Sequence, residues 1–512
     1  MTIDLSKLPN DPGVLRAMVG DLLRELEAKE RKLVSLQHHL EQLFRWRYGP
    51  KRERLDENQL FLFAVGLVQA DQEAGDASEE PEASSFPRRH AKGHGRNRLP
   101  EHLERRRTVY DVPADERWCP HCQEGLRPMG EDVSERLEYV PASLHVIQEV
   151  CRKYGCPNGC VVVTGEKPQQ AIEKGLPGPG LLAHVAVSKY GDHLPLHRQE
   201  QMFGRQGVQV SRKTMCDWMG RCAELLAPLY EQMKWETLRS KVVQTDDTPV
   251  GVLDPELTRT RTGRIWTYVG DDEHPYTVYD YTPNRNRDGP EAFLEDFRGY
   301  LQADAYAGYD ALYTAADREV TEVACWAHTR RKFYEAQSSD LMRSTVLLAY
   351  IRLLYDVERD AREQNLDSPG RLELRQARSL PILDDIEAYL KREQANVLPK
   401  SPEGQAIAYA LSNWEALVRY VQDGDLEIDN NGAERSLRGV AVGRRNWTFF
   451  GSDNGGRTAA ILASFIASCK RLGVNPHTYL RDVFSRIGAH KQTRLHELLP
   501  DQWHEAQSDP NS

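Results

Sequence analysis

The sequence predicts a multidomain α+β protein, and three observations carry that reading. At 512 residues the chain is too long for one ordinary core, so three or more domains are expected. Its character changes along its length, from leucine heptads to paired cysteines to β-rich runs and then long helical patterns. Three separated acidic segments stand in and after the β-rich part: Thr245-Asp246-Asp247-Thr248-Pro249, Gln302-Ala303-Asp304-Ala305-Tyr306 and Asn430-Asn431-Gly432-Ala433-Glu434-Arg435. The first two end apolar, β-rich runs, and the third opens a helical segment. Two strand carboxylates and one helix carboxylate form a ligand set for a pair of divalent cations acting at a phosphodiester. All-oxygen donors suit Mg²⁺, with Mn²⁺ as a substitute.

The first element, residues 1–70, reads as a coiled coil. Val19, Leu26, Leu33 and Leu40 take heptad position a, and Leu15, Leu22, Leu36 and Leu43 take d, with Lys29 interrupting the d series. Gly49-Pro50 stops the helix. Such a stripe predicts a homo-oligomer. Residues 71–108 follow as an acidic linker, Asp71 to Ser85, and a basic arm carrying Arg88, Arg89, Lys92, Arg96 and Arg98. Glycines beside Lys92 and Arg96 let the backbone approach phosphate, and the cations release counterions on binding. The net charge of −10 argues mildly against a nucleic-acid partner, but local clusters decide binding in a multidomain chain.

Nine cysteines without a signal-peptide pattern predict metal binding in a reducing compartment rather than a disulfide framework. Within 109–168, Cys119-Pro120-His121-Cys122 and Cys156-Pro157-Asn158-Gly159-Cys160 form two knuckles. Cys119, Cys122, Cys156 and Cys160 supply a tetrahedral S₄ set for one structural Zn²⁺. Cys151 lies in a strand-like segment and is expected to be packed.

Residues 169–237 read as helices. His197 to Phe203, a turn with Gly204 and Gly207, and a second helix from Ser211 carrying Arg212 and Lys213 make a helix-turn-helix pattern for DNA. Cys216 and Cys222 are expected to fill apolar gaps. From 238 to 458 the chain reads as a catalytic core. Strands are predicted over Val242 to Val252, Arg264 to Val269 and Tyr276 to Tyr281, followed by a helix over Pro290 to Phe297 and a strand ending at Asp304. That β-β-β-α-β order is that of the RNase-H-like fold. Pro249 should bend or end the first strand. Asp246 and Asp247 point to opposite faces of a regular strand, so only one reaches a shared metal, and alternation leaves the choice open. A helical insertion covers about 335–428, with breaks at Ser368-Pro369-Gly370 and Pro399 to Gly404. Asp429-Asn430-Asn431 is a natural N-cap that puts Glu434 on the first turn of a helix facing the sheet. Arg435, Arg438, Arg444 and Arg445 follow it closely and, with Arg330 and Arg331, are candidates to hold DNA phosphates. Cys325 and His328 have no evident partner pair and read as structural. Residues 459–512 form a helical tail, and no apolar run is long enough to span a bilayer.

These motifs resemble the transposases of insertion-sequence family 66, the TnpC type, within the DDE superfamily. The segments that carry the resemblance are Asp246-Asp247-Thr248-Pro249-Val250, Gly263-Arg264-Ile265-Trp266-Thr267-Tyr268-Val269, Asp304-Ala305-Tyr306-Ala307-Gly308-Tyr309, Cys325 to Phe333 with Arg330 and Arg331, and Ala433-Glu434-Arg435-Ser436-Leu437-Arg438 with Gly443 to Trp447. The likeness extends from about Leu40 to Phe484. In one departure, the second cysteine knuckle has three intervening residues where the family has two.

The resemblance selects Asp246 over Asp247. It implies that Asp246, Asp304 and Glu434 bind two Mg²⁺ ions and that the protein cleaves the ends of its element and joins the 3′ hydroxyls to target DNA. It further implies a bacterial, cytoplasmic, nucleoid-associated protein and small accessory proteins encoded by the same element. Two other classes compete with this reading. A catalytically inactive DNA-binding derivative would lack one of the three carboxylates, and all are present. A coiled-coil and zinc scaffold would not need the basic arm.

Overall fold

Val242–Val252, with near-alternating burial along its eleven residues, is the central strand of a mixed sheet (β3). It belongs to a computed structural model that describes residues 175–314 and 319–503, with short stretches between 144 and 172. The leucine heptads, the linker, the basic arm and the four knuckle cysteines lie outside the described residues. The chain divides into two compact units, Glu79–Lys167 and the remainder. In the smaller, β1 (Lys153–Gly155) pairs antiparallel with β2 (Val162–Thr164).

In the larger unit β3, β4 (Arg261–Val269) and β5 (Thr277–Thr282) form an antiparallel meander. The chain then passes through the short helix α4 (Asp288–Phe293) into β6 (Gly299–Ala303), parallel to β3 on its other side, and β7 (Val320–Ala324) adds to β6. The strand order is β5-β4-β3-β6-β7, with β8 (Phe449–Phe450) beside the far end of β3. The class is α+β, and the first four strands follow the expected order.

The central strand has the span read from the sequence and runs through Pro249. It continues to Val252, with Pro249 opposite Arg264 of β4. The carbonyl of Pro249 accepts a hydrogen bond from Arg444 rather than from β4. The amide and carbonyl of a strand residue point the same way, so the missing N–H faces the side that β6, pairing only Val242 to Gln244, leaves open.

Helices α1 (Pro179–Tyr190), α2 (Leu196–Arg205) and α3 (Arg212–Thr237) precede the sheet. Gly207, at φ +79°, makes the turn before α3, and Ser211 caps α3 by accepting from the Thr214 amide at 3.1 Å. This helix is 26 residues long. Its face Met215, Trp218, Met219, Cys222, Leu226, Leu229 and Met233 is buried in the core that also takes Trp266, Tyr268 and Val278 of the sheet. Burying side chains of this size stabilises by about 2 kcal/mol each. Cys222 fills that core, but Cys216 is exposed, contrary to expectation, because it falls one residue off the buried stripe.

Between β7 and the last strand the chain runs through α6 (Trp326–Ala336), α7 (Leu341–Glu363), α8 (Ser368–Gln394), α9 (Pro402–Ser412) and α10 (Trp414–Val418), which form their own apolar core; α5 (Asp310–Thr314) precedes β7. Ser368-Pro369-Gly370 opens α8 directly after the break that follows Glu363, with Asp367 as the cap, since proline is tolerated in a first turn. Then α11 (Asn431–Trp447), α12 (Asp453–Arg471) and α13 (Pro476–Arg486) return to the sheet. α12 covers the edge strand: Ser464 and Ser468, one turn apart, accept the Tyr279 and Thr277 amides of β5 at 2.8 and 3.0 Å. Those amides would otherwise be unpaired donors at a sheet edge.

Candidate active site

Three elements converge on the acidic residues. Asp246 lies on β3, Asp304 just beyond the end of β6, and Glu434 in the first turn of α11. The two strands are parallel neighbours, paired at Val242–Tyr300, Val243–Leu301 and Gln244–Gln302, so Asp246 and Asp304, each two residues beyond the last pair, come to one edge of the pairing.

Polar side chains fix α11 against that edge. Asn430 donates to the Thr245 carbonyl at 3.1 Å, Gln244 accepts from the Ala433 amide at 3.3 Å, and Thr267 of β4 bonds Ser436 at 2.8 Å. Farther along, Arg444 donates to Thr248 Oγ1 and the Pro249 carbonyl, each at 2.8 Å. The expected cap is therefore divided: Asp429 accepts the Asn431 amide at 3.1 Å, while the Asn430 side chain is spent on β3.

The electrostatics separate the two neighbouring aspartates. Asp247 is nearly buried, its side chain 2% exposed, and both its oxygens are taken by guanidinium groups. Arg264 donates to Oδ2 at 2.9 Å, and Arg285 to Oδ1 through Nε at 3.0 Å and Nη2 at 2.7 Å. Among the described residues Asp246 has no basic partner. Its Oδ1 accepts the Asp247 amide at 2.8 Å, but burial and the charges of Asp304 and Glu434 push its carboxyl up to about 7. Burial likewise raises Asp304, against the pull of His328 and Arg285, and Arg285 Nη2 lies 3.7 Å from it. The buried Glu434 Oε1 has no hydrogen-bond partner among the described residues. Three carboxylates crowded with so little cationic compensation are a poor arrangement unless positive charge is supplied from outside.

Other sequence-predicted residues are spread more widely. Arg435, Arg438 and Arg445 are exposed on α11, as are Arg330 and Arg331 on α6 and Arg212 and Lys213 at the start of α3. Arg444 differs from expectation, since its guanidinium docks α11 onto β3. Two features escaped the sequence reading. Arg285, stacked 4.1 Å from the Tyr306 ring centroid, links Asp247 to Asp304. His328 Nδ1 lies 3.8 Å from Glu434 Oε1, so the Cys325–His328 pair that seemed to lack a partner meets one on α11. Over 100 residues separate them, and no local signal joins them.

Comparison with known proteins identifies the lineage. The family model described as Transposase IS66 family matches residues 174–458, which is more than half of the chain and contains all three carboxylates. The chain belongs to the IS66 transposase family. Further models of this family match the IS66 C-terminal element at 464–500, the zinc-finger binding domain of transposase IS66 at 116–158, and a segment described as Transposase C of IS166 homeodomain at 35–108. Among similar proteins of Sinorhizobium fredii (strain NBRC 101917 / NGR234), the uncharacterized protein y4qI is 34% identical over 531 residues, covering 95% of this chain and 96% of its own. The uncharacterized protein y4hP is 33% identical over 499 residues, covering 93% of this chain and 89% of its own. Among the described residues no helix is long and apolar enough to cross a membrane.

Proposed function

We propose that the protein is a DDE-type DNA transposase that cleaves the ends of its insertion sequence and joins the freed 3′ hydroxyls to target DNA. The observation that carries this reading is the contrast between the two adjacent aspartates. Asp247 is neutralised by Arg264 and Arg285, whereas Asp246 shares a desolvated environment of little cationic compensation with Asp304 and Glu434. The raised carboxyls of Asp246 and Asp304, beside Glu434, fit an oxygen-ligand site for two Mg²⁺ or Mn²⁺ ions. Bound there, such ions supply Lewis-acid stabilisation of the attacking and leaving oxygens in an in-line displacement.

The chain's own groups do the rest. The β3–β6 pairing and the α11 contacts hold the three carboxylates in a fixed relation, so little reorganisation is needed when DNA arrives. Arg435 and Arg438, one turn apart and exposed just beyond Glu434, hold phosphates on either side of the reacting bond, assisted by Arg445, Arg330 and Arg331. Arg212 and Lys213, with Arg88, Arg89, Lys92, Arg96 and Arg98 of the arm, bind the terminal repeats. The sheet and its helical insertion correspond to an RNase-H-like core. Cys119, Cys122, Cys156 and Cys160 hold one Zn²⁺, and the heptads assemble the copies needed to act on two DNA ends, with accessory proteins of the same element as further partners.

An ends-cleavage assay tests this. Asp246→Asn, Asp304→Asn and Glu434→Gln should each still shift an element-end fragment but fail to nick it with Mg²⁺ or Mn²⁺. Nicking at the wild-type rate by any of the three removes that residue from the assignment.

A further inference from the structure

The geometry points to a second, softer metal site in which Cys325 Sγ, His328 Nδ1 and Glu434 Oε1 together bind one Zn²⁺-class ion. The three ligand atoms lie within 4.8 Å of one another, with His328 Nδ1 and Glu434 Oε1 3.8 Å apart. Metal–ligand bonds of about 2.0–2.3 Å at tetrahedral angles place donors roughly 3.3–3.6 Å apart, so a small closing movement completes the site.

Local structure aims the three groups at one point. Cys325 is the N-cap of α6 and His328 lies in its first turn, so the i, i+3 spacing puts both on one face. Glu434 comes from the first turn of α11, the two helix starts being tied together by the Asn430 amide, which donates to Cys325 Sγ at 3.5 Å. Backbone N–H bonds to sulfur of this kind steady a metal-bound thiolate.

The polar accounting supports the same conclusion. His328 Nδ1 and Glu434 Oε1 are both buried, and neither has a hydrogen-bond partner among the described residues. Leaving such atoms unpaired costs on the order of 1–3 kcal/mol each, and one shared cation satisfies both. A sulfur, an imidazole nitrogen and a single carboxylate oxygen form a donor set that Zn²⁺ and Co²⁺ prefer and that Mg²⁺ does not. As the metal–sulfur bond forms, the thiol proton passes to solvent. A fourth position is left for water or a DNA oxygen. The inference goes beyond the proposed transposase activity and does not depend on Glu434 serving a Mg²⁺ ion as well.

Cobalt spectroscopy on the full chain tests it. Protein first loaded with one equivalent of Zn²⁺, to fill the knuckle site, is titrated with Co²⁺. The wild type should develop a thiolate-to-cobalt charge-transfer band that Cys325→Ser lacks, and His328→Asn should bind Co²⁺ about tenfold or more weakly. Micromolar Zn²⁺ should bleach the band, whereas millimolar Mg²⁺ should not. Identical spectra for wild type and Cys325→Ser would overturn the proposal, as would bleaching by Mg²⁺. If Cys325→Ser does not fold, unchanged Co²⁺ affinity in His328→Asn overturns it. None of these readouts involves DNA cleavage, so their failure is distinct from failure of the nicking assay.

Discussion

Replacing Asp246 by asparagine removes a negative charge while keeping a side-chain oxygen to accept the Asp247 amide. The Asp246 carboxyl is raised from 3.8 to about 7 in the folded protein by burial and by the charges of Asp304 and Glu434. A carboxyl with a raised folded-state pKa binds its proton more tightly in the folded chain than in the unfolded one. Without divalent metal, stability should therefore fall as pH rises from about 4 to about 7 and stay low above that. Roughly three pH units at about 1.4 kcal/mol each set the ionisation penalty at about 4 kcal/mol. Asp246→Asn should thus be more stable than wild type at pH 8 by up to that amount and equal to it near pH 4. Asp247→Asn should show the opposite sign. It strips charge from a carboxylate bonded by two guanidinium groups, a loss of about 3 kcal/mol. Urea unfolding of EDTA-treated protein at the two pH values measures both variants. Adding Mg²⁺ at pH 8 should stabilise wild type and leave Asp246→Asn nearly unchanged. A metal-free Asp246→Asn protein no more stable than wild type at pH 8 would refute the reasoning, because the site would then not be short of positive charge.

Other outcomes follow from particular contacts. Arg444→Ala should cost about 1–3 kcal/mol in urea unfolding, by removing the two bonds that hold α11 to Thr248 and Pro249; a purely DNA-binding role predicts no loss. Ser468→Ala should cost a similar amount, since it leaves the Thr277 amide of the covered edge strand unpaired, and faster hydrogen exchange at that amide would identify the cause. In the unit spanning residues 79–167, Cys156→Ser should abolish zinc binding while Cys151→Ser keeps roughly one zinc per chain, by elemental analysis; the reverse result moves the fourth ligand to Cys151. Leu26→Pro with Leu33→Pro should give a smaller species by light scattering, and an unchanged size would place assembly outside the heptads.

The sequence by itself determined the elements whose signals are local. Alternation and β-branched residues marked Val242–Val252 to the residue, the Asp-Asn-Asn run marked the start of α11 with Glu434 in its first turn, and the order of apolar runs foretold the first four strands. Family membership was also legible, because short motifs survive in the chain as contiguous residues. Pro249 is tolerated inside that strand because, among the described residues, no strand pairs with β3 at that position on the side its missing N–H would face. Pattern leaves Asp246 and Asp247 equivalent, and only the fold shows how differently the two are surrounded. The difference lies in Arg264 and Arg285, brought to Asp247 from other parts of the sheet region. It also turned Arg444 inward and gave Cys325 and His328 a partner in Glu434. Charge compensation and ligand convergence act through space over a few ångströms, and those neighbours come from elements up to nearly 200 residues apart in the chain.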